Sequence, residues 1–269
     1  MTWTTPADLR AQVQKLWDKG ELLRPCVQGT AMPPRRLRLS GPSSSELTER
    51  FDDVRAWMAA LGCNAPVGTA PCWRIVPREF RHRVLGACAV PDEAWLDTLD
   101  DALALLGKRK DHQRFVNLVQ HTREQQPTLL AWLEKRPLHA LALAQEWPRL
   151  LAVVAWLQAH PRPGIFLRQV DLPGVDSKFI EAHRGVLGEL LDMALPPEAI
   201  DTRVTGVGQF CQRYGFKDKP LRVRFRLLDA SICEGLLPAD AERDITLTQA
   251  DFARPVSYTH LTLPTSDLV

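Results

Sequence analysis

Arg222, Arg224 and Arg226 alternate with Val223 and Phe225 inside the segment Leu221 to Leu227. On a strand, guanidiniums at this two-residue spacing stand about 7 Å apart. That step is near the spacing of phosphates along one nucleic-acid strand, and the planar Arg fork suits a phosphate oxygen pair. A competing reading is a solvated strand face, paired in part with acids on a neighbouring strand. Lys108, Arg109 and Lys110, with Arg114, form a second cluster at a predicted helix start. Cations there oppose the helix macrodipole. An anionic partner would account for them, and so would pairing with Asp100, Asp101 or Asp111. Arg35, Arg36 and Arg38 make a third, similar basic face.

Other chemistry-bearing residues assemble less well. Asp97, Asp100 and Asp101 read as helix-capping and first-turn acids rather than metal ligands. Cys63, Cys72, His82 and Cys88 match no zinc-ligand spacing. Gly206 and Gly208 flank a valine, but no phosphate-binding glycine pattern follows. The sequence holds no HExxH, no GxSxG and no Asp-x-Asp pair. By themselves these residues describe a soluble helical protein with basic faces and no complete active site.

The elements that must position these residues are mostly helical. Thr5, Pro6 and Asp8 open a helix whose apolar face is Leu9, Val13, Leu16 and Trp17, with Gly20 closing it. Arg35 to Leu39 alternates as a short strand. Ser43 to Ser45 start a second helix that ends at Gly62. Trp73 to Val84 reads as a hairpin or meander, and Pro77 assigns it an edge strand. From Asp97 to His160 the pattern is helical, with Thr98 opening a helix that Gly107 ends and with Pro127, Pro137 and Pro148 each marking a new start. Ile165 to Leu172 is expected to be a strand. Asp176 or Ser177 caps a long helix through Leu191, and Val207 to Tyr214 is a short helix stopped by Gly215. The fold class expected is α+β, predominantly helical. Pro161 to Gly164 is the expected boundary, giving a helix-rich domain over 1–163 and a second portion over 164–255.

Apolar content of 45% and charge of 25% are those of an ordinary globular protein. A formal charge of +2 is too mild to establish a nucleic-acid partner, so the clustering of the basic residues is the stronger signal. The six cysteines form no Cys-x-x-Cys pair, and no secretion signal or apolar membrane-spanning run is present, so a reduced, cytoplasmic protein is expected. The last residues stand apart. Val256 to Thr265 reads as the translation of a library-preparation mosaic end and its primer arm. Residues 256–269 are therefore expected to be non-native, with the natural chain cut at about Pro255. Tyr258 and His260 consequently carry no catalytic expectation.

Two segments, IFLRQVDLPGVDSKFIEAHRGVLGELL and YGFKDKPLRVRFRLLD, resemble the JetD family, the nuclease subunits of bacterial Wadjet anti-plasmid systems. TPADLRAQVQKLWDKGELL, GPSSSELTERFDDVRAWM and DTLDDALALLGKRKD are similar to that family's N-terminal region, and the resemblance runs through residues 1–255. It implies a subunit that works beside an SMC-like ATPase complex, acts as a homodimer and cleaves circular plasmid DNA. It also implies a winged-helix-like, CAP-type DNA-binding portion over 164–255, leading into a Toprim domain. Toprim acids, a Glu and an Asp-x-Asp pair, would hold Mg²⁺ or Mn²⁺ there. None of those acids occurs in this chain, so no catalytic residue and no cofactor is assigned, and the chain is expected not to cleave DNA. Within the CAP-type portion, Lys178, Arg184, Arg222, Arg224 and Arg226 are the candidate DNA contacts. Lys108, Arg109, Lys110 and Arg114 form the secondary patch. The alternative is a non-catalytic interaction module that docks on the SMC-like complex; a weaker one is a naturally short regulator.

Overall fold

The structure, a computed structural model, describes residues 3–62, 72–82, 86–218, 222–226 and 244–248. The chain runs through α1 (Pro6–Asp18), α2 (Arg24–Gln28), β1 (Arg35–Leu37), α3 (Glu46–Glu49) and α4 (Phe51–Ala60). The antiparallel pair β2 (Arg74–His82) and β3 (Gly86–Leu96) follows. A helical stretch comes next: α5 (Leu99–Leu106), α6 (Arg109–Gln125), α7 (Leu130–Lys135), α8 (Pro137–Ala142) and α9 (Trp147–Ala159). Then come α10 (Ser177–Ala182), α11 (Arg184–Ala194), α12 (Phe210–Arg213) and a second antiparallel pair, β4 (Arg222–Arg226) with β5 (Asp244–Thr248). The protein is α+β and predominantly helical, as its sequence pattern implies.

Local chemistry explains most of these boundaries. At α1 the Thr5 hydroxyl accepts from the Asp8 N–H at 3.2 Å, and the Asp8 carboxylate accepts from the Thr5 N–H at 2.8 Å. That reciprocal box satisfies donors the helix cannot satisfy internally. At α5 the Thr98 hydroxyl accepts from the Asp101 N–H at 3.1 Å as a single-sided cap, and Gly107, at φ 68°, ends the helix. The sheet order is β1-β3-β2, so β2 is an edge strand, and its register shifts between Val76 and Pro77. A residue without an N–H is tolerated at that place.

Four segments depart from the sequence pattern. The first is Trp73 to Val84, expected as a hairpin or meander, where residues 74–82 form the single strand β2 and pair with β3, which the pattern does not indicate. The helix expected from Ser43 to Gly62 is two, because Arg50 leaves helical geometry at φ −126°, ψ 43°. The long helix after Asp176 likewise divides at His183 into α10 and α11. Ile165 to Leu172 is not a strand. It makes one parallel bridge, Phe166 to Lys217, and then turns through a 3-10 helix over Leu167–Gln169. Its apolar residues meet neighbouring helices rather than a second strand, so alternation there reflects burial without a ladder.

Leu9, Val13, Phe115, Leu150, Val154, Leu187 and Phe210 belong to one continuous apolar cluster that reaches Phe216. Trp147 is a fully buried member of it, stacked on Trp132 with ring centroids 5.4 Å apart. Its indole N–H donates to the Thr122 hydroxyl at 2.8 Å, and Thr122 donates to the Leu118 carbonyl at 2.8 Å. Both buried polar groups are thereby satisfied. Residues 210–216 dock on α9 through aromatic contacts: Phe216 stacks on Trp156, Phe210 on Phe216, and Tyr214 packs beside Phe210.

Candidate nucleic-acid interface

Of the two N-terminal basic clusters, Arg35, Arg36, Lys108, Arg109 and Arg114 face acids, while Arg38 and Lys110 have no ion pair among the described residues. Arg109 at the start of α6 makes a two-pronged pair with Asp100, its Nε at 3.1 Å and its Nη2 at 2.7 Å from the two oxygens. Lys108 Nζ lies 2.8 Å from Asp111, and Arg114 lies 3.6 Å from the same carboxylate. Arg35 pairs with Glu21 and Arg36 with Glu93. Such exposed pairs stabilise the fold little, but they cancel the field a polyanion would sense. Of the secondary patch, Lys110 alone has no ion pair among the described residues, and it is exposed. Asp97, expected as a cap, instead receives Arg74 through two hydrogen bonds of 2.7 and 2.8 Å.

Around α10 the pattern reverses. Lys178 is exposed at the second position of α10, with no ion pair to a described residue. Arg149, from α9, lies 4.3 Å above the Phe179 ring and reaches the Gly174 carbonyl at 3.4 Å. Arg168, exposed, lies 5.0 Å above the Phe166 ring. Neither guanidinium has a carboxylate partner among the described residues. Aromatic faces orient these cations without neutralising them, because a ring quadrupole attracts a cation but carries no net charge. Arg149 and Arg168 are absent from the sequence-derived site. Arg149 meets Phe179 thirty positions along the chain, a contact with no local signal. Phe166 and Arg168 are two residues apart and offered the weaker hint of an aromatic beside an arginine.

Arg184 opens α11 and is the least satisfied cation described. Its Nε–H is sealed from solvent and has no hydrogen-bond partner. Its one ion pair, with Glu181, is a loose 3.7 Å, and the side chain is 27% exposed. Arg184 lies near enough to the buried Cys211 for its charge to act on that thiol, which burial pushes upward. An unmade hydrogen bond of a buried donor costs about 1–3 kcal/mol.

The strand expected at 221–227 is present as β4, and Arg222, Arg224 and Arg226 occupy alternate positions in it. Their Cα partners on β5 are Thr248, Thr246 and Asp244, so an acid stands opposite one of the three. Arg224 is exposed; the side chains of Arg222 and Arg226 lie outside the described residues, as do Cys63, the side chains of His82 and Cys88, and residues 249–269.

A polar lock holds the chain between α11 and β4. Asp192 accepts from Arg213 Nε and Nη2 at 3.1 and 2.9 Å and from the Tyr214 hydroxyl at 2.7 Å. Tyr214 is buried, and burial and the Asp192 carboxylate raise its phenol well above the ordinary range, so it stays protonated. Gly215 follows at φ 76°, its carbonyl accepting from the Gly164 N–H at 2.9 Å. Elsewhere, Cys26 Sγ lies 3.1 Å from His112 Nε2. Burial raises that thiol and lowers that imidazole, so the pair is neutral and plugs α2 against α6. Among the described residues no group of three or more His, Cys, Asp or Glu side chains could hold a metal ion. The carboxylate set that a Toprim Mg²⁺ or Mn²⁺ requires is therefore not supplied by them. No described helix is long and apolar enough to cross a membrane.

No curated protein matches the chain. A protein-family profile described as an uncharacterized protein conserved in bacteria, N-terminal (DUF3322), matches residues 6–192. The match begins with α1, takes in Arg149, Arg168, Lys178 and Arg184, and ends inside α11. Because it covers well over half of the sequence, this protein belongs to the bacterial family DUF3322.

Proposed function

We propose that the chain binds double-stranded DNA through the cations grouped around α10. It does so as the N-terminal and DNA-binding part of a nuclease subunit that serves a Wadjet-type, SMC-like plasmid-defence complex in the cytoplasm. The observation that carries this reading is the set of cations around α10 that have no carboxylate partner among the described residues. Arg35, Arg36, Lys108 and Arg109 are paired with acids, whereas Arg149, Arg168 and Lys178 have no carboxylate partner among the described residues. The bacterial family and the resemblance to JetD sequences support the assignment of the complex. The homodimer and the metal-dependent cleavage are carried by that resemblance alone, and the chain as given is not proposed to cleave.

The test is fluorescence anisotropy of a labelled 30-base-pair duplex across a salt series. Three or four neutralised phosphates give log affinity a slope of about −3 to −4 against log salt. Replacing Arg149, Arg168 and Lys178 together by Gln should flatten that slope by about three units. A salt-independent affinity, or a triple variant indistinguishable from the parent, rules the reading out. The second reading, docking on the SMC-like partner, draws on two apolar side chains at the surface, Met193 and Val207. It predicts that Val207→Asp impairs assembly with that partner while duplex affinity is unchanged.

A further inference from the structure

We infer that Arg184 is the seat for one phosphodiester oxyanion, and that Glu181 lies across this seat in the free protein as a self-inhibitory contact. The inference rests on the DNA reading above and adds a named subsite and a competitor to it. Arginine carries five N–H donors in a rigid fork. Here none of them makes a hydrogen bond to a described residue, and Nε is shut away from solvent as well. A guanidinium kept for structure has its donors on carbonyls or carboxylates, as Arg213 does with Asp192 and the Val204 carbonyl. Arg184 has no such anchoring bond among the described residues, and its charge is felt at the buried Cys211.

Glu181 is three residues back, across the break at His183, and 53% exposed. At 3.7 Å it attracts Arg184 without bonding to it, so it stabilises the free state weakly. A phosphate oxygen offers what Glu181 lacks: a ligand that can approach along the donor directions of the terminal nitrogens, the sealed Nε being out of its reach, with Lys178 on the same helix as Glu181 adding to the field. As phosphate approaches, the Glu181 carboxylate is a like charge and must swing away. Its exposure leaves it free to do so. A short helix break beside the two residues lets α10 shift against α11 without breaking either ladder.

The experiment is a double-mutant cycle on the full chain, read by anisotropy of the same 30-base-pair duplex. Glu181→Gln should tighten binding about three-fold, since an exposed competing pair is weak. Arg184→Ala should weaken it about ten-fold or more and remove about one unit of salt slope. In the Arg184→Ala background, Glu181→Gln should change affinity less than two-fold. Arg184→Lys keeps the charge and a long aliphatic stem but loses the fork, and it should recover only part of the loss; it also guards against a misfolded alanine variant. If Glu181→Gln gains as much without Arg184 as with it, Glu181 acts as a general surface charge and the seat does not exist. A parent chain that binds duplex normally while Arg184→Ala and Arg184→Lys both bind equally well overturns the inference and leaves the DNA reading intact. A parent chain with no salt-dependent binding removes both.

Discussion

Replacing Gly215 by alanine tests how the segment leading to β4 is tied to the rest of the molecule. A Cβ built at Gly215 would lie 2.6 Å from Arg162 Cα and 2.7 Å from Arg162 Cβ. Those atoms are backbone-bound and cannot rotate aside. Gly215 also stands at φ 76°, where an L side chain adds a cost of its own, about 1 kcal/mol. Forcing an extra carbon into a filled space adds about 1–3 kcal/mol, so the total is about 2–4 kcal/mol. Gly107 is the matched control: its φ is 68°, but nothing lies within 4 Å of its would-be Cβ. Gly107→Ala should therefore lose about 1 kcal/mol, the conformational part alone. The two variants are compared by urea denaturation, and in thermal melts each kcal/mol corresponds to about 2–4 °C for a chain of this size. Equal losses at the two glycines would mean that residues 162 and 215 are not in contact in solution, and the account of this junction would fall.

Four further outcomes follow from the packing and the titrations. Thr122→Val leaves the buried Trp147 N–H without an acceptor and should cost about 1–3 kcal/mol in urea midpoint stability, whereas Thr122→Ser should cost less. Thr5→Ala removes the α1 cap and should cost about 1 kcal/mol by the same assay. Tyr214 titrates higher folded than unfolded, so its contribution is intact below pH 10, the unfolded value, and lost as pH rises further; a Tyr214→Phe chain should lack that alkaline loss in pH-dependent melts. His112 titrates lower folded than unfolded, so stability should fall as pH drops below 6.5, the unfolded value. His112→Gln should reduce the slope between pH 7 and 5, and an unchanged slope would show that His112 is exposed to water.

What could be read directly from the sequence was local. The Thr5 and Thr98 caps, the stop at Gly107 and the edge position of Pro77 each depend on residues within a few positions of one another, and each is present. What could not be read was long-range. Ile165 to Leu172 alternates like a strand, yet its backbone makes only isolated bridges, Phe166 to Lys217 and Leu172 to Val175. The break at His183 falls in an unbroken apolar pattern, because apolar residues are buried on both sides of it while the backbone leaves helical geometry at φ −105°, ψ 14°. The basic clusters show the limit most clearly. Sequence locates Arg109 and Lys108, but only the fold reveals that Asp100 and Asp111 cancel them. Conversely, Arg149 acquires its place from Phe179, on another helix. The strand arginines were legible as a strand, and their facing partners on β5 were not.

The sheet order described above also governs how copies of this protein can meet. One outer strand, β1, is three residues long and carries Arg35 and Arg36; the other, β2, has a proline and a register shift in its backbone. A fourth strand arriving from another molecule would find a short charged rim on one side and an interrupted row of donors on the other. Crowding of many copies on one stretch of polymer should therefore raise their local concentration without seeding strand-to-strand polymerisation. Self-association through this three-stranded sheet is thereby steered to side-chain surfaces, which can be reversible and geometrically closed, rather than to an open-ended hydrogen-bonded ribbon.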